Sequence, residues 1–365
     1  MTIFLYIAAG ASIHYGNQIE NISNDLKKIR PHFFTAVPRL IEKMYDRIVA
    51  QSNEKGNVRK KVILWAIRLG ERFQGDTRVS FFYWLQCALA NLLVYRHWRK
   101  ELGGKVEGVA VGAAHLQPKL SRLFNAAGIR IREGYGLTES SPVVAFNHFE
   151  VGMFRFGTVG IPIPGMELKI MEENELGEGE IWIKGPSVMV GYQNNAVQTA
   201  KIKNEEGWLK TGDVGKLVDK RFLQITDRRK DIFKTSTGKY IAPQQLENLL
   251  KSSPFIEQSM IIGFQKPFVT ALIVPSFSML KAWCETNNVH WTAPQFMAIN
   301  PKVEQKMQAI IDELNEQLLP HEQIKKFTLL HEEWTLENEL TSPTLKVLRA
   351  NVLQVFQKEI AKMYD

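Results

Sequence analysis

Between Arg132 and Pro142 two glycines, Gly134 and Gly136, bracket Tyr135, and Thr138 and Glu139 follow directly. Paired glycines let a backbone turn sharply and come close to a ligand while the ring between them is presented. A hydroxyl can bond a phosphate oxygen, and a carboxylate can hold a hard cation such as magnesium. A bare Gly-Tyr-Gly is more often a surface turn around a buried tyrosine, and only the whole string Arg132-Glu133-Gly134-Tyr135-Gly136-Leu137-Thr138-Glu139-Ser140-Ser141-Pro142 favours a ligand site. Other chemistries are excluded. The sequence has no G-x-S-x-G elbow and no H-E-x-x-H pair. Thr237-Gly238-Lys239 imitates the end of a phosphate-binding loop, but Phe233 stands where that loop needs Gly and Tyr240 where it needs Ser or Thr.

The string resembles the signature of the adenylate-forming superfamily, which includes acyl-CoA synthetases, aryl-CoA ligases, luciferases and the adenylation domains of peptide synthetases. The resemblance implies that Tyr135 stacks on adenine, Thr138 meets the α-phosphate and Glu139 helps bind Mg2+, with Glu133, Gly134 and Gly136 in the same nucleotide-binding segment. Further segments are similar to family motifs in the same order. Gly207-Trp208-Leu209-Lys210-Thr211-Gly212-Asp213 implies that Asp213 accepts both ribose hydroxyls, a task its two oxygens suit. Asp227-Arg228-Arg229-Lys230-Asp231 looks like the family hinge, with Arg228 also on the ribose and Lys230 at the pivot. Gly238, Lys239 and Tyr240 match the loop used for thiol transfer, and Thr344-Leu345-Lys346-Val347-Leu348-Arg349 resembles the segment bearing the catalytic lysine, Lys346. Taken alone, a lysine at such a position faces solvent, and a charged run is a solvated loop.

Thr35-Ala36-Val37-Pro38-Arg39-Leu40 and Pro343-Thr344-Leu345-Lys346 look like the long-chain fatty acyl-CoA synthetase branch. What the resemblance implies is activation of a fatty acid by ATP and Mg2+, followed by transfer to CoA, with no nucleic-acid partner. Three features depart from the pattern. No Ser/Thr/Gly-rich run ending Pro-Lys-Gly is present to offer backbone N–H groups to the β- and γ-phosphates. Val111-Gly112-Ala113-Ala114-His115 replaces a Ser-Gly-Gly-Ala segment beside adenine, so Gly112, Ala113 and Ala114 carry an extra methyl at Ala113. Thr341-Ser342-Pro343 is one residue longer than usual. The expectation is an N-terminally truncated family member. Its rival is a non-catalytic module that binds AMP, an acyl-adenylate or a protein partner. Acyl chain length and oligomeric state are not specified by these motifs.

The elements that must position these residues can be read from periodicity. Pro38 opens a helix with Leu40, Met44 and Ile48 on one face, and mostly helix continues from Val58 to Arg99. Val106–Gly112, Glu167–Met171 and Gly179–Gly185 read as strands, the last alternating Ile181 and Ile183 with Glu180, Trp182 and Lys184. Gln244–Lys251 and Val303–Leu319 read as helices, Ser259–Phe264 and Thr270–Pro275 as strands, and Leu353, Phe356, Ile360 and Met363 as the stripe of a final helix. The fold class is therefore α/β plus α+β. Its expected parts are a partial parallel-sheet domain (1–150), a small β-barrel (151–226) and a mobile α+β C-terminal domain (227–365), joined at an exposed charged hinge.

With 365 residues, 45% hydrophobic and 23% charged, the chain has the balance of a globular protein of two or three domains. The formal net charge of +8 invites an anionic partner, but the basic residues read as spread out rather than gathered on one nucleic-acid stripe. Cys87 and Cys284 form no C-x-x-C pair, which points to a reducing compartment, the cytoplasm. The apolar run Phe81–Tyr95, followed by Arg96, His97, Arg99 and Lys100, would suit peripheral contact with a membrane, with core packing as the first reading.

Overall fold

The computed structural model describes residues 2–16, 22–53, 57–75, 80–342 and 345–365. Met1 and the Pro343-Thr344 pair of the long-chain resemblance lie outside the described residues. The chain divides into two units, Met1–Thr211 with Gly215–Ile225, and Gly212–Val214 with Thr226–Asp365.

The first unit begins with α1 (Thr2–Ala8), α2 (Ile22–Ile29), β1 (Phe33–Ala36), α3 (Pro38–Asn53), α4 (Asn57–Glu71), α5 (Phe81–Ala90), a π-helical turn at Asn91–Tyr95 and α6 (Arg96–Glu101). Then come β2 (Gly108–Val111), α7 (Pro118–Ala126), β3 (Arg130–Gly136), β4 (Val143–Phe146) and β5 (Ile161–Pro162). These strands form one sheet in the order β1-β2-β3-β4-β5. The first three pair in parallel and β3-β4-β5 antiparallel. Val109, Val111, Ile129 and Ile131 are buried, as strands covered on both faces require. Pro38 opens α3 as expected, with Leu40, Ile41 and Met44 buried.

The run Phe81–Tyr95 is helical, but core packing does not cover it. Phe81, Phe82, Trp84 and Leu85 are all more than half exposed. A helix that is apolar all round carries no internal cue to its inner face, and here the inner face is the one bearing Tyr83, Ala90 and Val94.

Next follow β6 (Glu167–Met171), β7 (Gly179–Lys184), α8 (Ala196–Ile202), β8 (Leu209–Val218) and β9 (Phe222–Arg228). Ile181 and Ile183 face inward onto Val144, Leu209 and Leu223, as the alternation predicts. The expected small barrel is instead an open four-stranded sheet, β6-β7-β8-β9, with no closure between its outer strands among the described residues. Four strands are too few to curl into a closed ring around side chains.

The second unit holds β10 (Phe233–Lys234), β11 (Tyr240–Ile241), α9 (Pro243–Leu250), β12 (Ile256–Ile262), β13 (Val269–Pro275), α10 (Phe277–Thr286), α11 (Pro294–Met297), α12 (Pro301–Asn315), β14 (Ile324–Leu329), α13 (Arg349–Val355) and α14 (Gln357–Lys362). β13 is the central strand of a three-stranded sheet, antiparallel to β12 and parallel to β14, and buried along its whole length. Met307, Ile311 and Leu314 of α12 pack into the same core as Ile261 and Ile273. The final helix is broken at Phe356 (φ −100°, ψ 27°), and Val352 rather than the exposed Leu353 enters the core. The charged run at 227–231 also departs from expectation. Asp227 is only 1% exposed, whereas Arg229 and Lys230 face solvent.

Candidate functional site

In the first unit the parallel pair β2–β3 brings two of the singled-out segments side by side. Val111 pairs with Glu133, and a side chain on Gly112 would touch the Gly134 carbonyl oxygen at 3.5 Å. Just beyond, Ala113 has φ +74°, a left-handed conformation that costs an L-residue roughly 1–2 kcal/mol. Glu133 is 6% exposed and accepts the Leu116 backbone N–H, and burial pushes its pKa up to about 8.

Tyr135 packs against the Val144–Ala145 core, and the strand bulges between Tyr135 and Gly136. Gly136 is sterically obligatory, because a Cβ there would overlap the Pro142 carbonyl. The loop beyond is closed by the buried Ser140. Its hydroxyl donates to the Pro142 carbonyl at 2.7 Å and accepts the Leu137 N–H at 3.0 Å. A 3-10 turn, Thr138–Ser140, leaves Thr138 exposed and Glu139 half-buried. Glu139 is held twice from the segment after β7. The Met189 N–H donates to its carbonyl at 2.8 Å, and the Tyr192 hydroxyl donates to Oε1 of its carboxylate at 2.8 Å. Tyr192 was not among the residues singled out from sequence, since a lone Gly191-Tyr192 pair 53 residues away offers no cue.

In the second unit Asp213 is 3% exposed and its Oδ1 receives Arg228 Nε at 3.1 Å. The backbone around Arg228 is fixed by Asp227, whose carboxylate accepts the N–H of Arg228 at 2.6 Å and that of Gln244 at 3.1 Å. Lys346 belongs to the same neighbourhood. Its side chain is exposed by area, yet its pKa is lowered, first by desolvation and next by the Arg228 guanidinium. Asp231 and Asp213 oppose the shift and Lys230 adds to it. Asp213, Arg228, Lys230 and Lys346 are thus gathered in one electrostatic patch.

Backbone geometry positions the lysine. The Ser342 N–H donates to the Lys346 carbonyl at 2.8 Å, and Leu345 has φ +60°. Three residues on, Arg349 donates to Glu247 Oε1 at 2.6 Å and to the Ile261 carbonyl at 2.8 Å, which anchors the start of α13. The K-x-x-R spacing therefore joins a lysine in the patch to a structural arginine. Gly238 and Lys239 lie in the tight connection between β10 and β11 and Tyr240 opens β11, with Gly238 at φ +84° and Tyr240 68% exposed.

Two family models match the chain: the AMP-binding enzyme over residues 1–193 and the AMP-binding enzyme C-terminal domain over residues 230–365. Among curated proteins, the peroxisomal long chain acyl-CoA synthetase 7 of Arabidopsis thaliana is 31% identical over 364 residues, covering 96% of this chain and 51% of that protein. The long-chain-fatty-acid–CoA ligase 6 of Mus musculus is 31% identical over 373 residues, covering 99% and 52%. The chain thus spans about half the length of the curated relatives it matches. Two solved structures share the fold. The adenylation domain of a carboxylate reductase from Mycobacterium chelonae has a TM-score of 0.70 at 21% identity, over 96% of this chain and 49% of that one. The corresponding domain from Segniliparus rugosus, solved with AMP and a co-purified carboxylic acid, has a TM-score of 0.68 at 23% identity, over 96% and 50%.

Proposed function

Because this chain belongs to the AMP-binding enzyme family, we propose that it is the adenosine-binding and thiol-transfer portion of an enzyme that activates a long-chain fatty acid with ATP and passes the acyl group to CoA. The observation that carries this reading is the buried Asp213 carboxylate, held by Arg228 in the patch that also contains Lys346. A carboxylate offers about four lone-pair sites on two oxygens, a spacing that matches the two hydroxyls of a ribose cis-diol.

In the first half-reaction a fatty-acid carboxylate oxygen attacks the α-phosphorus of ATP, and the bond to pyrophosphate breaks. Negative charge grows on the non-bridging oxygens, and the Lys346 ammonium is the group that stabilises it. In the second, the CoA sulfur attacks the acyl carbonyl, the bond to AMP breaks, and the thiol proton is released. Gly238, Lys239 and Tyr240 are assigned to this step, with residues from 227 onward acting as a mobile cap that pivots at Lys230.

The residues present fit Mg2+. No cluster of three or more acidic, His or Cys side chains forms among the described residues, and a single oriented carboxylate suits a cation that takes its other ligands from phosphate and water. Glu139 would hold it, and the ion would neutralise phosphate charge. Two unpaired cysteines, Cys87 and Cys284, accord with a reducing compartment such as the cytoplasm.

The test uses a non-hydrolysable palmitoyl-adenylate analogue, whose binding does not require a β,γ-phosphate loop. Saturable binding that Asp213→Ala abolishes supports the reading, as does conversion of authentic palmitoyl-adenylate and CoA to palmitoyl-CoA. Absence of both in a folded chain sinks it.

A further inference from the structure

The short helix α8 is held mainly by polar contacts. It spans seven residues, none of them fully buried, and Ile202 packs against the neighbouring core. A two-turn helix is marginal by itself, so its other contacts matter. The Asn195 side chain caps its start by accepting the Gln198 N–H at 3.1 Å. One turn on, the Thr199 hydroxyl donates to the Asn195 carbonyl at 3.0 Å and accepts the Tyr192 N–H at 2.9 Å. Just past the helix, the Lys203 ammonium donates to the Met189 carbonyl at 2.8 Å.

Met189 and Tyr192 are the two residues that hold Glu139, one through its carbonyl and one through its carboxylate. The bonds from Thr199 and Lys203 therefore land on residues that themselves bond Glu139. Packing fixes the same alignment, because a Cβ on Gly191 would come within 2.8 Å of the Thr199 methyl carbon. The far end of the bracket is anchored as well. Lys203 forms a β-bridge with Leu209, which is 1% exposed. Lys203 is half-buried, and a charge-assisted bond to a backbone carbonyl offsets the ordering of its long side chain.

Resting on the reading of Glu139 as the magnesium-holding carboxylate, we propose that Thr199 and Lys203 are positioning residues for it. Thr199 acts through Tyr192 and Lys203 through Met189. Neither is assigned a contact with metal or nucleotide. They fix where the two bonds to Glu139 originate, so the carboxylate is already oriented when the ion arrives.

Mn2+ titrations of the full chain with AMP, read by paramagnetic resonance, test this. Thr199→Val keeps the shape and removes the acceptor, while Lys203→Met keeps the stem and removes the donor. Each should weaken Mn2+ binding by about fivefold, the typical worth of one hydrogen bond. Thr199→Ser, which keeps the hydroxyl, should restore wild-type affinity. On a Tyr192→Phe background Thr199→Val should add nothing, whereas Lys203→Met should keep its full effect. Metal-free affinity for the palmitoyl-adenylate analogue should match wild type in every one of these variants, a split that general loss of structure would not give. In the metal-free Lys203→Met chain the Met189 amide should exchange about fivefold faster than in wild type.

Should Glu139→Gln abolish Mn2+ binding while Thr199→Val and Lys203→Met bind the ion as wild type does, this inference fails and the reading of Glu139 stands. Should Glu139→Gln change nothing, or wild type bind no Mn2+, the reading of Glu139 fails and takes the inference with it. Matching losses of Mn2+ and analogue affinity, with a lower urea midpoint, would reduce Thr199 and Lys203 to supports of the fold and overturn the proposal.

Discussion

The hydroxyl of Tyr192 donates to the Glu139 carboxylate at 2.8 Å, which ties the turn after β3 to the segment after β7. Glu139 raises the tyrosine's pKa, first through this bond. A group that orients a metal-holding carboxylate typically contributes one to two orders of magnitude to metal affinity. Tyr192→Phe should therefore weaken Mn2+ binding, read by paramagnetic resonance in the presence of AMP, by about tenfold. Glu139→Gln should abolish it. If Glu139→Gln matters and Tyr192→Phe does not, Tyr192 is only a packing residue.

Asp213 and Arg228 should respond unequally to substitution. If Asp213 takes the ribose as proposed, Asp213→Ala removes two charge-assisted bonds together with the ion pair to Arg228, so affinity for a palmitoyl-adenylate analogue should fall by about 100-fold. Arg228→Lys keeps the charge but loses the Nε donor, and a loss of about tenfold is expected. Calorimetric titration separates the two. A deoxyribose analogue should bind wild type about as poorly as the parent analogue binds Asp213→Ala.

Lys346 is expected to act in one half-reaction only. Removing an ammonium that meets developing phosphate charge costs about 100- to 1,000-fold in rate. Lys346→Ala should therefore slow palmitate-dependent pyrophosphate exchange by that factor once a phosphate-binding loop is supplied, and leave the conversion of palmitoyl-adenylate and CoA by this chain nearly unchanged. Arg349→Ala offers a contrast. It breaks the bond to Glu247 and should lower stability by roughly 1–3 kcal/mol in urea unfolding. Equal losses in both half-reactions for Lys346→Ala would mean that it only supports the fold.

These residues show what periodicity and composition can convey. The helix α12 was legible because Val303, Met307, Ile311 and Leu314 recur at the helical period and are buried together. β7 was legible because Ile181 and Ile183 alternate with Glu180 and Trp182, and the parallel β1-β2-β3 core followed the family resemblance. Contacts between distant segments were not legible. Tyr192 meets Glu139 across 53 residues and Arg349 meets Glu247 across 102, and no local pattern encodes either pairing. The orientation of α5 was hidden for a different reason, since an apolar residue on every face leaves periodicity without a direction. Closure of the small sheet depends on edge-strand pairing that a single chain's alternation does not specify.

The extra methyl at Ala113 carries a conformational cost that can be measured. With φ at +74° the residue sits where glycine is unstrained, so Ala113→Gly should raise stability by about 0.5–1 kcal/mol in urea unfolding. The relief is set against the greater unfolded-state freedom of glycine, which is why the expected gain falls below the full strain. Ala113→Val should destabilise the protein, because a β-branched side chain tolerates this region least. A stability loss for Ala113→Gly would place the strain elsewhere.

Glu133 makes stability fall as pH rises through neutrality. Its pKa is pushed from an ordinary 4.5 to about 8 by burial, opposed only by the Leu116 N–H. Between those limits the folded state holds a proton that the unfolded state has released, so unfolding releases a proton and stability declines with increasing pH. The contribution is fully present below the unfolded pKa and lost as pH passes through about 8. The slope approaches a limit of about 1.4 kcal/mol per pH unit for a single proton. Asp227, raised to about 6 by burial despite the N–H groups of Arg228 and Gln244, adds a slope of the same sign in a lower window. Urea midpoints measured from pH 5 to 8.5 should fall in wild type, and the decline above pH 6 should flatten in Glu133→Gln, which keeps the neutral shape and cannot ionise. A wild-type curve that stays level from pH 6 to 8 would show that the Glu133 carboxyl is charged in the fold, held by a partner that offsets its burial.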